Sequence, residues 1–421
     1  MDESYTLPSD KIDMFHQVLV VGGGSAGIAV TASLLHRVSD LDIAIVEPSE
    51  THYYQPGWTM VGGGVFEAEQ TAKAMSSLIP NKAKWLKNSV KSFFPKQNKV
   101  MLDDGKIIQY EQLIVCPGLQ LDWDKIEGLS ETLGKNGVSS NYRFDLAPYT
   151  WQQITSLNVG KAIFTQPTMP IKCAGAPQKA MYLACDYWRR HHCLSEIQTD
   201  FFNAGAVLFG VADFVPALME YVKKYHINLN FEQELISVNG DDKTATFQFK
   251  QDDEVKTQTR EFDFLHVVPP QSAPNFIKSS PLADSDGWLD VDKFTLRHKV
   301  FENVFGLGDV TNTPNAKTAA AVRVQAPIVA QNLLIARGEL AEEAQYNGYG
   351  GCPLTVERGK IVLAEFGYDG KRLNTLPLWL IDGTKPSSIA WMMKETLLPQ
   401  LYWEAMLKGR EWLTHPSEPV N

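Results

Sequence analysis

The stretch Val18-Leu-Val-Val-Gly-Gly-Gly-Ser-Ala-Gly-Ile28 decides the fold, because it joins a short apolar run to a glycine-rich turn. The apolar run predicts a buried parallel strand, and the residues from Ile28 to Arg37 have the apolar spacing of a helix. Between them Gly22, Gly24 and Gly27 form the pattern G-x-G-x-x-G. In this pattern the first glycine makes a tight turn, the second admits a pyrophosphate and the third packs helix against strand. The stretch therefore predicts a phosphate site at a helix N-terminus.

A carboxylate follows the next predicted strand, in the position that a dinucleotide site requires. The strand covers Asp42 to Val46 and leads into Glu47, twenty residues after Gly27. A carboxylate there can accept hydrogen bonds from both ribose hydroxyls of an adenosine. A lone G-x-G-x-x-G is weak evidence, but strand, turn, helix, strand and acid in register favour a dinucleotide-binding domain.

Length and composition exclude several classes of protein. The chain has 421 residues, of which 44% are hydrophobic, so it can form two or three domains with sizeable cores. Its net charge of -10 argues against nucleic acid as a partner. No apolar run is long enough to span a membrane, so we expect no transmembrane helix.

The N-terminus, Met1-Asp-Glu-Ser-Tyr5, is acidic and lacks both the apolar core of a signal peptide and the arginines of a transit peptide. We therefore expect either a cytosolic bacterial protein or a mature form without its presequence. Together with the membrane contact discussed below, this predicts a peripheral protein on the cytoplasmic side of a bacterial inner membrane.

A second α/β unit is predicted to begin near Gly160. Its predicted elements are strands at 161–165 and 206–209, helices at 176–192 and 214–225, and a hairpin over 244–250. The βαβ plan thus occurs twice, and the predicted fold class is α/β with two Rossmann-like domains. The predicted boundaries are 14–150 with 295–340 for the first domain, 151–294 for the second and 341–421 for a C-terminal region.

The stretch Asn303-Val-Phe-Gly-Leu-Gly-Asp309 predicts a strand that ends in an aspartate, and a helix is predicted to begin near Thr318. In flavoproteins with two dinucleotide-type domains, an aspartate in this place accepts a hydrogen bond from the ribityl chain of FAD. The positive end of the helix would then favour the anionic reduced flavin. A turn aspartate that caps a helix is the simpler interpretation, but the N-terminal glycine motif favours FAD.

The second unit lacks a second G-x-G-x-x-G. The stretch from Gln166 to Lys179 follows its first strand and contains Pro167 and Pro170, but no glycine pair, at the phosphate turn. NAD(P)H is therefore a poor candidate for the electron donor.

A cysteine, Cys173, replaces that motif, just before a helix predicted to start near Ala176. A thiol at a helix N-terminus can be held as a nucleophilic thiolate, which Lys172 and Lys179 would reinforce. A small buried apolar cysteine is an equally weighted interpretation. Five cysteines at irregular spacings suggest neither a disulfide framework nor a zinc site, and three of them are interpreted as structural: Cys116, Cys185 and Cys193.

The residues from Leu376 to Leu413 differ in character from the rest of the chain. Tryptophans, methionines and leucines are interleaved there with lysines and glutamates, and Pro399 divides the stretch. This pattern predicts two short amphipathic helices with interfacial aromatic residues. Periodicity alone does not distinguish two interpretations and favours them equally. The helices either dock on a membrane, or pack on the protein body or on a second subunit.

Several motifs together resemble the type II, mitochondrial-like sulfide:quinone oxidoreductases. The most specific are the two cysteine motifs, Pro170-Ile-Lys-Cys-Ala-Gly-Ala-Pro-Gln-Lys179 and Gly351-Cys-Pro-Leu354. The similarity extends through His52–Pro56, Phe305–Asp309, Lys317–Val322 and Leu363–Phe366, and so covers nearly the whole chain.

The resemblance implies that Cys173 and Cys352 form the redox pair, on the face of the flavin opposite the quinone. It implies non-covalent FAD contacts from Ser25, Ala26, Glu47, Gln55, Val90, Asp309 and Lys317, beside Gly22, Gly24, Gly27 and Gly308. It also implies that the C-terminal helices dock on a membrane and admit a ubiquinone-type quinone. The oligomeric state stays open, a homo-oligomer included.

The mechanism that the resemblance implies starts from a Cys173–Cys352 disulfide or trisulfide. Hydrosulfide attacks at Cys352 and leaves a persulfide there, while Cys173 is released as a thiolate against the flavin. Two electrons pass to FAD and then to quinone. The sulfane sulfur passes to a small acceptor such as sulfite, glutathione, coenzyme A or cyanide.

Two other flavoenzymes and one protein of a different class are the alternatives. Flavocytochrome c sulfide dehydrogenase would need a cysteine for a flavin thioether, and none lies between Met1 and Val115. A type II NADH dehydrogenase would need the second glycine motif. A flavin-binding protein without turnover would not need two reactive cysteines, and Cys173→Ser would distinguish it.

Overall fold

The computed structural model describes residues 11–412 and residue 414. Two parallel sheets, each flanked by helices, form the body of the protein, which confirms the predicted α/β class with two Rossmann-like units. The acidic stretch Met1 to Tyr5, and Leu413 of the predicted amphipathic region, lie outside the described residues.

The first sheet has seven strands and holds the glycine-rich turn at the end of its central strand. Five of its strands are parallel, and a hairpin extends it on one side. The central strands are almost fully buried apolar runs, as expected for a parallel sheet covered on both faces. From one edge the order is β5 (Lys84–Leu86), β2 (Ile43–Val46), β1 (Met14–Val21), β8 (Ile107–Val115), β7 (Lys99–Leu102) and β6 (Val90–Phe94), with β19 (Val304–Gly306) paired to the last part of β8.

The second sheet has five parallel strands in the order β10 (Val138–Ser139), β17 (Phe264–His266), β11 (Gly160–Gln166), β12 (Ile197–Asn203) and β13 (Asn228–Phe231). The strand predicted at 206–209 is wrong, because β12 ends before it and residues 206–209 are irregular. The buried Phe201 and Phe202 come at the end of β12, after the polar Gln198 and Asp200. The strand therefore lacks the apolar run by which its neighbours were predicted.

The remaining strands form small antiparallel sheets around the two parallel ones. They are a three-stranded sheet of β14 (Gln233–Asn239), β15 (Thr244–Gln251) and β16 (Glu254–Glu261), and the pairs β3 (Thr51–Tyr53) with β4 (Ala72–Ala74), β9 (Gln120–Leu121) with β18 (Gln271–Ser272), and β20 (Gly350–Glu357) with β21 (Lys360–Phe366).

The helices cover the sheets and include one long apolar segment. They are α1 (Ser25–Arg37), α2 (Trp58–Val61), α3 (Leu129–Thr132), α4 (Ala147–Ser156), α5 (Ala176–Arg190), α6 (Val215–Lys224), α7 (Asn275–Lys278), α8 (Ala319–Ala336), α9 (Ser388–Met392) and α10 (Leu398–Glu404). Helix α8 is long and apolar enough to cross a membrane, but 61% of it is buried and it packs in the first core.

Two segments belong to a different unit from the one to which the predicted boundaries assign them. Strand β10 lies inside the range 14–150 but pairs in the second sheet. Residues of 273–294, such as Ile277 and Leu289, are buried in the core of the first sheet.

The C-terminal region divides into a packed part and an exposed part. A π-helical turn, Met393–Leu397, links α9 to α10. Tyr402 and Trp403 of α10 are buried in the first core. Seven large apolar residues of the region are exposed: Leu378, Trp379, Leu380, Ile389, Met392, Leu397 and Trp412. Packing on the protein body is therefore found for a part of the amphipathic stretch, and membrane docking stays a prediction.

Candidate active site

The glycine-rich turn has the shape of a phosphate cradle. A Cβ at Gly27 would lie 1.8 Å from the carbonyl oxygen of Gly22, so only glycine fits there. A Cβ at Gly24 would have no atom within 4 Å, which leaves open space at the N-terminus of α1. No side chain in the part of the chain that the structure describes caps that N-terminus. The backbone N–H groups and the open space therefore fit a pyrophosphate.

The acid predicted to bind ribose lies directly beside this turn. Glu47 accepts hydrogen bonds from the backbone N–H groups of Gly23 and Ser49, each at 2.7 Å. The Ala26 side chain lies 3.4 Å from where a Cβ of Gly308 would be. The structure thus brings the turn, Glu47 and the Gly308 loop together.

Lys317 holds a fixed charge at the start of α8. Its Nζ donates to the carbonyl oxygens of Asp309 at 2.8 Å and Thr311 at 2.7 Å, and it lies 4.2 Å from the centre of the Trp288 ring. Burial lowers the pKa of Lys317 to about 8. Thr318 caps α8 by accepting a hydrogen bond from the backbone of Ala321.

The cysteine loop lies against this segment. The backbone N–H of Cys173 donates to the carbonyl oxygen of Lys317 at 2.8 Å, and the Tyr142 hydroxyl donates to the Lys172 carbonyl oxygen at 3.0 Å. Cys173 adopts a left-handed backbone conformation, φ 49°, which such contacts must maintain. The Lys172 ammonium donates to Gln55 Oε1 at 2.7 Å. These contacts place Cys173 beside Lys317 and the Asp309 loop.

The two cysteines singled out in the sequence meet at this point. Their sulfur atoms are 3.8 Å apart, and Lys179 Nζ lies 3.1 Å from Cys173 Sγ. A Cβ at Gly175 would lie 2.6 Å from Cys352 Sγ, so glycine is needed for α5 to approach β20. Cys352 and Lys179 are each 2% exposed.

The pair shares its charge unequally. A hydrogen bond from Cys352 and the ammonium of Lys179 hold the pKa of the Cys173 thiol well below its ordinary value, against the effect of burial. The same hydrogen bond and burial hold the pKa of Cys352 well above its ordinary value. Although burial alone would lower the pKa of Lys179, the neighbouring thiolate raises it. The surroundings therefore favour the thiolate at Cys173 over a thiolate at Cys352.

A fourth lysine, which the sequence analysis missed, lies in the same site. Lys394 stands in the π-helical turn, is 4% exposed and interacts electrostatically with both cysteines and with Lys179. Burial and the charge of Lys179 lower the pKa of Lys394 to about 7. In the sequence it is only the first of two charged residues, Lys394 and Glu395, that follow the apolar run Trp391-Met-Met393. Turns of π-helix are frequent at functional sites.

Two predicted cofactor residues, Val90 and Ser25, remain to be placed. Val90 begins β6 at the edge of the first sheet, where it pairs with Leu102. The Ser25 hydroxyl contacts the hydroxyl of Tyr402, at 2.6 Å, rather than a residue of the cysteine site.

Comparison with known proteins decides the family. A family model described as pyridine nucleotide-disulphide oxidoreductase matches residues 16–150. The chain is 44% identical over 403 residues to the mitochondrial sulfide:quinone oxidoreductase of Dictyostelium discoideum, which covers 95% of this chain and 88% of that protein. The protein of the same name from Mus musculus is 40% identical over 394 residues, or 94% and 87% of the two chains. The chain belongs to the sulfide:quinone oxidoreductase family.

The sulfide:quinone oxidoreductase fold is found here as well. The crystal structure of the enzyme from Aquifex aeolicus matches with a TM-score of 0.75 at 16% identity, over 94% of this chain and 92% of that one. The resemblance predicted from the cysteine motifs is confirmed, and so is an oxidoreductase with a flavin cofactor.

The predicted location is wrong. The relatives from Dictyostelium discoideum and Mus musculus are both named mitochondrial, which contradicts the bacterial inner membrane. That prediction was based on the composition of the first five residues, and an acidic, polar stretch of that length does not report a compartment.

Proposed function

We propose that this protein oxidises hydrosulfide and reduces a quinone, as a peripheral membrane enzyme of mitochondria. The observation that carries the proposal is the position of the Cys173 sulfur, 3.1 Å from the Lys179 ammonium and 3.8 Å from the Cys352 sulfur. Family membership supports the two substrates. A structural cysteine pair would not need a buried ammonium beside one sulfur.

The cycle starts with the two cysteines joined by a disulfide or through one further sulfur. Two S–S bonds of about 2.05 Å meet at a bent angle and span about 3.3 Å, so either form requires the two sulfurs to move closer than their 3.8 Å separation, and a bridging sulfur requires the smaller movement. In the disulfide form, hydrosulfide attacks the sulfur of Cys352, the bond to Cys173 breaks, and its electron pair stays on Cys173 as a thiolate. Cys173 is the better leaving group because Lys179 stabilises its anion.

Two transfers then restore the starting state. The outer sulfur of the Cys352 persulfide passes to a small acceptor such as sulfite, glutathione, coenzyme A or cyanide. The bound flavin supplies two-electron transfer from the reduced cysteine pair to quinone, and the pair returns to its oxidised form. Lys317, fixed by two carbonyl oxygens, offers a positive charge beside the Asp309 loop.

The buried thiol of Cys116 supports non-covalent flavin binding. Its sulfur contacts the Gly22 carbonyl oxygen at 3.6 Å under the turn, and burial raises the pKa of Cys116 far above its ordinary value. A neutral, buried thiol is a poor nucleophile for a thioether bond.

The exposed apolar residues of the C-terminal region support contact with a membrane, where a lipid-soluble quinone is found. Trp379 is 84% exposed and Met392 58% exposed. Transfer of exposed tryptophan and methionine side chains from water into a lipid interface lowers their free energy and so favours membrane binding.

An anaerobic titration tests the proposal. Sulfide, but not NADH, is expected to bleach the flavin absorbance of the oxidised holoprotein, and quinone is expected to restore it. Cys173→Ser removes the thiolate and should abolish bleaching by sulfide, whereas Cys193→Ser, which alters a buried cysteine outside the cluster, should keep it. Bleaching by NADH alone, or full sulfide-dependent quinone reduction by Cys173→Ser, would contradict the mechanism.

A further inference from the structure

The C-terminal strap, defined as residues 398–411, lies along helix α1 of the first unit. A Cβ at Gly409 would lie 2.6 Å from the backbone carbon of Ala32, so the two backbones touch. The Glu411 carboxylate accepts hydrogen bonds from Ser33 Oγ at 2.7 Å and from both terminal nitrogens of Arg37. The strap is thus fixed along α1 at its far end.

At its near end the strap reaches the glycine-rich turn through one hydroxyl group. Tyr402 OH lies 2.6 Å from Ser25 Oγ and 2.6 Å from His52 Nε2, and His52 Nδ1 lies 3.4 Å from the Gly23 carbonyl oxygen. Tyr402 and His52 are 4% and 3% exposed. The Tyr402 ring also packs on Tyr54, with 4.7 Å between ring centres.

The protonation state of His52 fixes the direction of these hydrogen bonds. Burial lowers the pKa of His52 to about 4, so the imidazole is neutral at physiological pH. Because Nδ1 faces a carbonyl oxygen, it carries the proton and Nε2 is the acceptor. Tyr402 therefore donates to His52, and its oxygen accepts the hydrogen of Ser25. A chain of donors runs from Ser25 through Tyr402 and His52 to Gly23.

Together with the backbone of residues 23–25, these hydrogen bonds form a closed ring that includes Gly24. The open space of the pyrophosphate cradle lies beside Gly24. Ser25 and Gly23 flank it on either side, and both are tied to the strap. The hydrogen of the Ser25 hydroxyl points towards Tyr402 and not towards the cradle, so phosphate oxygens would be bound by backbone N–H groups at the start of α1.

We propose that Tyr402 is a positioning residue for the flavin, and that the C-terminal strap and the bound cofactor hold each other in place. The inference rests on flavin binding by the glycine-rich turn, which is part of the proposed function. Coupling of this kind is reciprocal, so loss of the cofactor loosens the strap as much as loss of the strap contact loosens the cofactor.

Release of FAD from the holoprotein tests the inference. FAD fluorescence is followed after dilution of wild type, Tyr402→Phe and a control, Tyr225→Phe. Tyr225 is also buried and donates to the Val356 carbonyl oxygen at 3.0 Å, in a different core cluster from that of Tyr402. Tyr402→Phe leaves His52 Nε2 without its donor, and we expect FAD release about tenfold faster. Tyr225→Phe should release FAD at the wild-type rate.

Proteolysis of the strap gives the reciprocal measurement. Removal of FAD should accelerate cleavage within residues 398–411 in wild type and should have less effect in Tyr402→Phe. Ser25→Ala removes the donor at the other end of the chain and serves if Tyr402→Phe does not fold. Equal FAD release from wild type and Tyr402→Phe, or equal acceleration in Tyr225→Phe, would overturn the inference. Faster release from Tyr402→Phe in a protein that sulfide does not bleach would instead refute the proposed function alone.

Discussion

The charge of Lys179 provides the most direct test of the sulfur site. Its Nζ lies 3.1 Å from Cys173 Sγ. Lys179→Met keeps an unbranched side chain but removes the charge and the hydrogen bond. We expect the pKa of the Cys173 thiol to rise, because its thiolate loses the nearest cation.

The distance gives the size of the effect. Two unit charges 3.1 Å apart attract by about 5 kcal/mol at an effective dielectric constant of about 20, and by about 1.3 kcal/mol in bulk water. Since the pair is buried, the value for water is a lower limit. A free energy of about 1.4 kcal/mol changes an equilibrium constant tenfold. The thiolate at Cys173 should therefore become at least about tenfold less favourable relative to the thiol.

Alkylation measures this directly. The reduced protein is treated anaerobically with iodoacetamide from about pH 5 to about pH 10, and peptide mass spectrometry reads the rate at Cys173, because only the thiolate reacts. In Lys179→Met the midpoint of the pH profile should move to higher pH. The rate below the midpoint should fall at least about tenfold.

Two variants control for loss of packing. Lys179→Arg keeps the charge and should hold the midpoint near that of wild type. Lys224→Met removes a lysine that pairs with Glu357 in the second unit, away from the cysteines, and should leave the midpoint unchanged. An unchanged midpoint in Lys179→Met would refute the reasoning, because the thiolate would then owe nothing to this ammonium.

Three further predictions concern other parts of the molecule. Gly27→Ala places a Cβ 1.8 Å from the Gly22 carbonyl oxygen, so we expect the purified protein to lack FAD absorbance. Trp379→Ser should weaken binding to anionic vesicles at least tenfold in a flotation assay, since burying about 100 Å² of tryptophan stabilises docking by about 2.5 kcal/mol. Lys394 has a pKa of about 7 when folded and binds its proton up to about pH 10.5 when unfolded. As the pH is raised from about 7 to about 10.5, the free energy of unfolding of wild type should therefore increase relative to that of Lys394→Met, by up to about 1.4 kcal/mol per pH unit. Denaturant unfolding at a series of pH values measures this.

The first sheet and its glycine-rich turn could be predicted because local rules determine them. Val18 to Val21 is fully apolar, and the spacing of Gly22, Gly24 and Gly27 has few structural uses besides a phosphate turn. The same local rules failed at β12, where buried and polar residues are mixed along the strand. Its place in the sheet is set by its neighbours β11 and β13 rather than by its own pattern.

The candidate site depends on contacts that no local pattern contains. Cys173 and Cys352 are 179 residues apart in sequence, and Ser25 and Tyr402 are 377 apart. The first pair was predicted only through the resemblance, by motifs around each cysteine. The second pair has no motif, because a serine in a turn and a tyrosine in an amphipathic helix are both ordinary residues there.

The buried lysines of the site favour the binding of an anionic ligand. Burial lowers the pKa of Lys172 and Lys317 to about 8 and that of Lys394 to about 7, so these ammonium groups are costly for the protein to keep charged. Lys179 differs because the Cys173 thiolate repays its cost. Asp309 attracts Lys172 and Lys317, and the cysteines attract Lys394, but these attractions do not outweigh burial, so a bound anion would stabilise all three charges. Hydrosulfide, a persulfide and a reduced flavin are all anions, so each step of the proposed cycle brings to the site the charge that it lacks.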